Sequence, residues 1–287
     1  MSIFDFFCKK GHPVVKELKR LAKNSIVINT NNSAAGLRPD ASKFGGKPFL
    51  PASFEWPEYA DPDEGVIRPL TFFCQINLAE AAPFDRDGLL PKTGILSFFY
   101  EWQSYSWGMD AEQQKAAKVF YFENTDGFVS AELPDSENNV PELAITFSSK
   151  LSYPTSDEFD LYSQVDCDFE ELDEHLKVLG VDPEAEPDEH KLLGYAYVIQ
   201  NEMVTECEAL YCEMHGEAYE EPEDLSEANI QSHQKQSEWI LLLQLGTISQ
   251  DDLFIMFGDS GMLYFYIRKE DLAARRFDKV LFSLQCY

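Results

Sequence analysis

Positive charge is scarce: 23 Lys and Arg face 51 Asp and Glu, a formal net charge of −28 over 287 residues. Such a field repels nucleic-acid phosphates and anionic membranes at long range, so neither is expected as a partner. Cysteines are few, at 8, 74, 167, 207, 212 and 286. They are too sparse for a disulfide scaffold in a chain this long. No window approaches the ~20 apolar residues of a membrane helix. Met1–Lys10 holds no apolar stretch long enough for a signal peptide. The reducing cytoplasm is the expected compartment.

The familiar site signatures are missing as well. Gly45-Gly46 lacks the Lys-Ser/Thr and helix that would cradle a phosphate. Asp166, Asp168 and Glu170 imitate the start of a calcium loop, but Glu171 stands where Gly is required and Lys177 where a bidentate Glu is required. Gly258-Asp259-Ser260-Gly261 resembles a protease nucleophile segment without its histidine partner. Cys207, Cys212 and His215, with His190 or His233, come nearest to a zinc set, at a looser cysteine spacing than a close pair has. The histidines and exposed carboxylates suggest no acid–base pair. The expectation is therefore no catalytic residue, no metal and no cofactor, and a protein that leans away from being an enzyme.

What is present is a core. Hydrophobic residues make up 44% of the chain and aromatics 14%, enough for a globular body rich in strands. Short apolar runs bounded by turn formers read as strands at Pro69–Leu78, Gly94–Trp102, Lys118–Phe122, Trp239–Leu245 and Lys279–Tyr287. Leu253–Phe257 and Met262–Ile267, around Gly258–Gly261, read as a hairpin. Val14, Leu18, Leu21 and Ala22 line one face of a helix opened by Pro13. Phe169, Leu172, Leu176 and Leu179 predict a second helix, capped by Asp166 or Asp168 and ended by Gly180. Residues 202–238, rich in Glu and poor in large apolar residues, predict a loop or an exposed helix.

Two stretches match in order. Lys43-Phe-Gly-Gly46 corresponds to Lys191-Leu-Leu-Gly194, Phe72–Ile76 to Leu241–Leu245, and Gly94–Tyr100 to Gly261–Ile267. Three ordered matches point to internal duplication. The organisation expected is an N-terminal helical segment over 1–40, a first β-rich repeat over 41–150, and a second over 151–287 carrying an acidic insertion. The fold class is α+β, mainly antiparallel β, with a few peripheral helices. Both copies place a glutamine, Gln75 or Gln244, inside an apolar strand. Each amide either ties the neighbouring loop to the sheet, the usual fate of a buried amide, or faces a cleft between the copies.

Lys43–Pro51 with Trp56-Pro57, Leu70–Leu78 with its Gln-Ile-Asn, and Leu90–Gly94 with Phe98-Phe99-Tyr100 resemble successive signatures of the YwqG-like family. His190–Gln200, Trp239–Leu245, Gly258–Phe265 and Leu284–Tyr287 continue the likeness over about residues 40–287; Phe257 stands where Trp is usual. The resemblance implies a roll-like, mainly β fold, no established catalytic residues, and a role in neutralising a partner, as toxin-immunity proteins do.

Two functions are expected from these features. In the first, a non-enzymatic binding protein engages a basic protein partner through residues 155–227, where 24 Asp and Glu stand against Lys177 and Lys191. In the second, a small ligand sits in a cleft between the copies. Gln75, Asn77, Gln244, Asp259 and Gln285 would supply the polar contacts, and Trp56 and Trp107 the walls.

Overall fold

Two long strands, β1 (Lys23–Asn31) and β10 (Leu143–Ser152), pair antiparallel over their length. They form the centre of a ten-stranded sheet. The computed structural model describes residues 11–31, 36–134, 140–183, 185, 190–219, 238–250 and 253–287. Outward from β10 lie β2 (Lys43–Phe44), β6 (Thr71–Asn77), β7 (Ile95–Tyr100) and β8 (Ala117–Phe122). Outward from β1 lie β11 (Lys191–Leu192), β12 (Trp239–Leu245), β15 (Met262–Arg268) and β16 (Leu281–Gln285). Every pairing is antiparallel.

The two flanks correspond strand by strand. Lys43 pairs with Gln75 on one side, and Lys191 with Gln244 on the other. A register shift falls between Phe72 and Cys74, and again between Leu241 and Leu243. Ile95 pairs with Phe122 as Met262 pairs with Gln285. In this correspondence β1 is the counterpart of β10, yet β1 adjoins β11 and β10 adjoins β2. The halves of the sheet therefore exchange their first strands, and neither half is a contiguous stretch of chain.

The sheet curls so that its own inner face becomes the core. Phe98 of β7 meets Phe265 of β15 edge to face at 5.2 Å, and these are corresponding positions. Phe257 packs on Phe73 at 5.5 Å and on Tyr100 at 6.3 Å, joining the flanks. The outer edge of β16 is closed by the segment before β8. Gln114 Nε2 donates to the Phe282 carbonyl at 2.7 Å, its Oε1 accepts the Phe282 N–H at 3.0 Å, and the Leu284 N–H reaches the Trp107 carbonyl at 3.1 Å. A side-chain amide here stands in for a pairing strand and protects an exposed edge.

Minor ribbons pair β3 (Phe49–Pro51) with β9 (Phe128–Ser130), β4 (Glu58–Ala60) with β5 (Ile67–Pro69), and β13 (Ile248–Gln250) with β14 (Leu253–Ile255). The predicted hairpin of Leu253–Phe257 with Met262–Ile267 is thus corrected to a single bridge, Phe257 to Gly261. Both edges of β15 are taken, by β12 and β16, so β14 turns to β13 instead.

Among the described residues the α-helices are α1 (Pro13–Leu21), α2 (Leu78–Ala81), α3 (Ser156–Tyr162), α4 (Phe169–Val178), α5 (Met203–His215) and α6 (Lys269–Ala273). Val14 and Leu18 of α1, Phe159 of α3, and Leu172 and Leu176 of α4 form a satellite core. Asp168, as predicted, caps α4 by accepting the Glu171 N–H at 2.9 Å. The segment expected as a loop or exposed helix contains α5, whose Met203, Val204 and Cys207 pack with Trp239, Leu241 and Tyr266 and whose Cys212 is buried as well. Residues 220–237 of that segment lie outside the described residues. Among the described residues no helix is long and apolar enough to cross a membrane.

Candidate functional site

The paired glutamines are fully buried. Gln75 Oε1 accepts the Phe49 N–H at 2.9 Å, and its Nε2 donates to the carbonyls of Pro39 and Ala41 at 2.8 and 2.7 Å. Gln244 Oε1 accepts the Tyr197 N–H at 2.8 Å. Each amide holds a loop that leaves its two-residue strand through two successive left-handed residues, Gly45 and Gly46 in one flank, Leu193 and Gly194 in the other. A branched residue such as Leu193 takes this conformation at a cost, which the surrounding bonds must offset.

Three of the other residues expected to line a cleft, Asn77, Gln285 and Trp56, are similarly committed. Asn77 Oδ1 caps α2 through the Ala79 N–H, and its Nδ2 donates to the Asp40 carbonyl at 3.0 Å. Gln285 Oε1 accepts the N–H groups of Ile199 and Gln200, both at 3.1 Å, while its Nε2 donates to the Asn201 carbonyl at 2.8 Å. Trp56 donates its indole N–H to the Leu70 carbonyl and packs on Phe54 and Phe99. Asp259 is exposed on a turn, and Trp107 lies beside β16. Gln75, Asn77, Gln244, Gln285 and Trp56 thus spend polar atoms on the backbone of neighbouring segments.

A cleft between the flanks does exist, lined by other residues. Gly88–Pro91 from one flank face Ile240, Lys269, Leu272, Ala273 and Arg275 from the other, enclosing about 320 Å³. Its two cations stand out in a chain so short of them. Arg275 has a left-handed backbone, pairs with Glu123, and lies 5.9 Å from the Tyr121 ring. Residues so far apart in the chain carry no shared pattern, so only the folded sheet reveals the cleft.

Two buried charge clusters were also invisible in the sequence. Glu208, 1% exposed, accepts the Trp239 indole N–H at 2.9 Å and the Arg268 guanidinium at 2.6 Å. Arg268 in turn stacks 3.7 Å from the Tyr211 ring. This fastens α5 to the sheet. Glu158 belongs to the capping box of α3. Burial pushes its carboxyl up to about 7, against the pull of Lys23. Burial likewise lowers the Lys23 ammonium, which sits 3.9 Å from the Tyr195 ring. Perturbed groups of this kind mark active sites and structural pairs alike. Here they join the start of β1 to α3.

Among the described residues the cysteine–histidine set does not come together as a metal group. Cys207 and Cys212 are buried on α5, while His215 is exposed with Nδ1 2.8 Å from the Tyr211 carbonyl. His190 accepts the Gly246 N–H at Nδ1, 3.2 Å away. His233 lies outside the described residues.

The acidic segment presents the start of α4 to solvent. Phe169 is 63% exposed there, flanked by exposed Asp166, Asp168 and Glu170. An exposed aromatic flanked by like charge is a feature that a simple solubilising surface does not require.

Fold and sites together define a mainly antiparallel β protein with a duplicated sheet and an acidic helical flank. Residues 42–286 match the family described as Domain of unknown function (DUF1963), and the chain belongs to that family. No curated protein matches it.

Proposed function

We propose that this chain is a non-enzymatic binding protein whose acidic helical flank engages a basic protein. The observation that carries the reading is Phe169, an exposed aromatic anchor amid Asp166, Asp168 and Glu170. Interfaces commonly combine such an anchor with a charged rim that speeds encounter. The commitment of Gln75, Asn77, Gln244 and Gln285 to internal loops adds support. So does the likeness of the sequence to the YwqG-like family, with its suggested neutralising role. Nucleic acids and anionic membranes are not partners in this reading, because the net charge of −28 repels them.

The test is affinity capture with the full chain at low and high salt, beside Phe169→Ala and Glu170→Lys. Basic proteins should be retained at low salt and released as salt rises, and both variants should retain several-fold less. Equal capture by the wild type and both variants overturns the proposal.

A second reading rests on the cleft at Lys269 and Arg275, whose volume of about 320 Å³ suits a small anion.

A further inference from the structure

Among the described residues one group of side chains has the composition of a metal site: His12, Glu171 and His175. We propose that these three residues bind a divalent ion of the zinc class and so pin α1 to α4. This goes beyond the proposed binding function and does not depend on it.

The three come from two elements whose contact is already fixed. Glu171 and His175 are four residues apart on α4, hence on one face. His12 is the residue before Pro13 at the start of α1, held extended at φ −60° and ψ 143°. The packing of Val14 and Leu18 on Leu172 and Leu176 brings His12 over that face. Their ligand atoms all lie within 4.8 Å of one another. His175 Nε2 is 3.5 Å from Glu171 Oε1, and His12 Nε2 is 4.0 Å from the same oxygen. Tetrahedral zinc, with bonds of ~2.0–2.1 Å, needs donors ~3.3–3.4 Å apart. The two pairs that involve Glu171 already lie within about 0.7 Å of that spacing, and the third must close by at most about 1.5 Å.

The chemistry of the set selects the ion. Two imidazoles and one carboxylate suit zinc and its neighbours, whereas calcium and magnesium take oxygen donors. The imidazole rings stand 4.3 Å apart, tilted by 49°. His12 Nδ1 is buried with no hydrogen-bond partner among the described residues.

The experiment is calorimetric titration of the chelator-stripped full chain with zinc, with calcium as the control. His12→Ala and Glu171→Gln run alongside; both side chains are about two-fifths exposed, so the fold should survive their loss. We expect one saturable zinc site per chain, no comparable calcium site, and affinity at least tenfold weaker in each variant. Cobalt added to the wild type should give the intense visible absorption of a tetrahedral centre. Zinc binding that is absent, or unchanged in both variants, overturns the site. So does a cobalt spectrum of the weak octahedral kind, which would mean an ion on surface carboxylates.

Discussion

Corresponding positions in the two flanks keep a hydrogen-bonding role while changing the residue that performs it. Two residues beyond each buried glutamine, a backbone N–H needs an acceptor. The Asn77 N–H finds Ser42 Oγ at 2.8 Å, and the Gly246 N–H finds His190 Nδ1 at 3.2 Å. An imidazole that accepts at Nδ1 must be neutral, with its proton on Nε2. Burial holds His190 down at about 4 against an ordinary 6.5. The unfolded chain therefore binds the proton more readily than the folded one. Stability from this group is complete above pH 6.5 and is lost as pH falls toward 4, by about 3 kcal/mol in all. His190→Asn keeps an acceptor oxygen near the same place and cannot titrate in this range. Urea unfolding between pH 7 and pH 4 should show the wild type losing roughly that much more than the variant; parallel curves would remove His190 as the titrating group. The glutamines were legible in the sequence because the residue itself repeats. The Ser42 and His190 pair was not, because what repeats there is only an acceptor atom.

Elements were legible where their apolar pattern was unbroken. β6, β7, β12 and β15 are buried almost throughout and read as strands at once. β1 did not, since Asn24 and Ser25 are buried beside Ile26 and Ile28 and mask its apolar rhythm. α5 was obscured in the same way, because Cys207, Glu208 and Cys212 make up much of its buried face. The glycines that open β7 and β15 show the repeat most sharply. A Cβ at Gly94 would lie 2.5 Å from the Phe122 carbonyl oxygen, and at Gly261 it would lie 2.3 Å from that of Gln285. These are the partner-strand residues of the next positions, Ile95 and Met262. Gly94→Ala or Gly261→Ala must push β8 or β16 outward, and each should cost roughly 2–4 kcal/mol. Gly127 is the control for Gly94: both have a positive φ, but nothing stands within 4 Å of a Cβ at Gly127. There alanine should cost only ~1–2 kcal/mol. Denaturant midpoints of the three variants check this ordering, and equal losses would refute the close-approach argument.

At the scale of the molecule, duplication was readable from the order of the matched segments, but the exchange of first strands between flanks was not. Nothing in the local pattern of β1 or β10 says which neighbour each will choose. The cleft is a product of that closure, since its walls meet only when the sheet curls. Its two cations, Lys269 and Arg275, offer a small anion a local attraction inside the repulsive field of a −28 chain. Salt screens the distant field over ~8–10 Å but weakens close contacts less. Binding at the cleft should therefore vary little with salt, whereas capture of a basic protein by the acidic flank should fall steeply. Titration with pyrophosphate, followed by calorimetry at two salt concentrations, separates the cases. Lys269→Ala should weaken binding by about tenfold, the loss of roughly one charge-assisted contact. Arg275→Ala should weaken it less, since Glu123 already holds part of that charge. Failure of pyrophosphate to bind, or binding indifferent to Lys269→Ala, would leave the cleft as a packing gap between the flanks and the acidic surface as the sole basis for function.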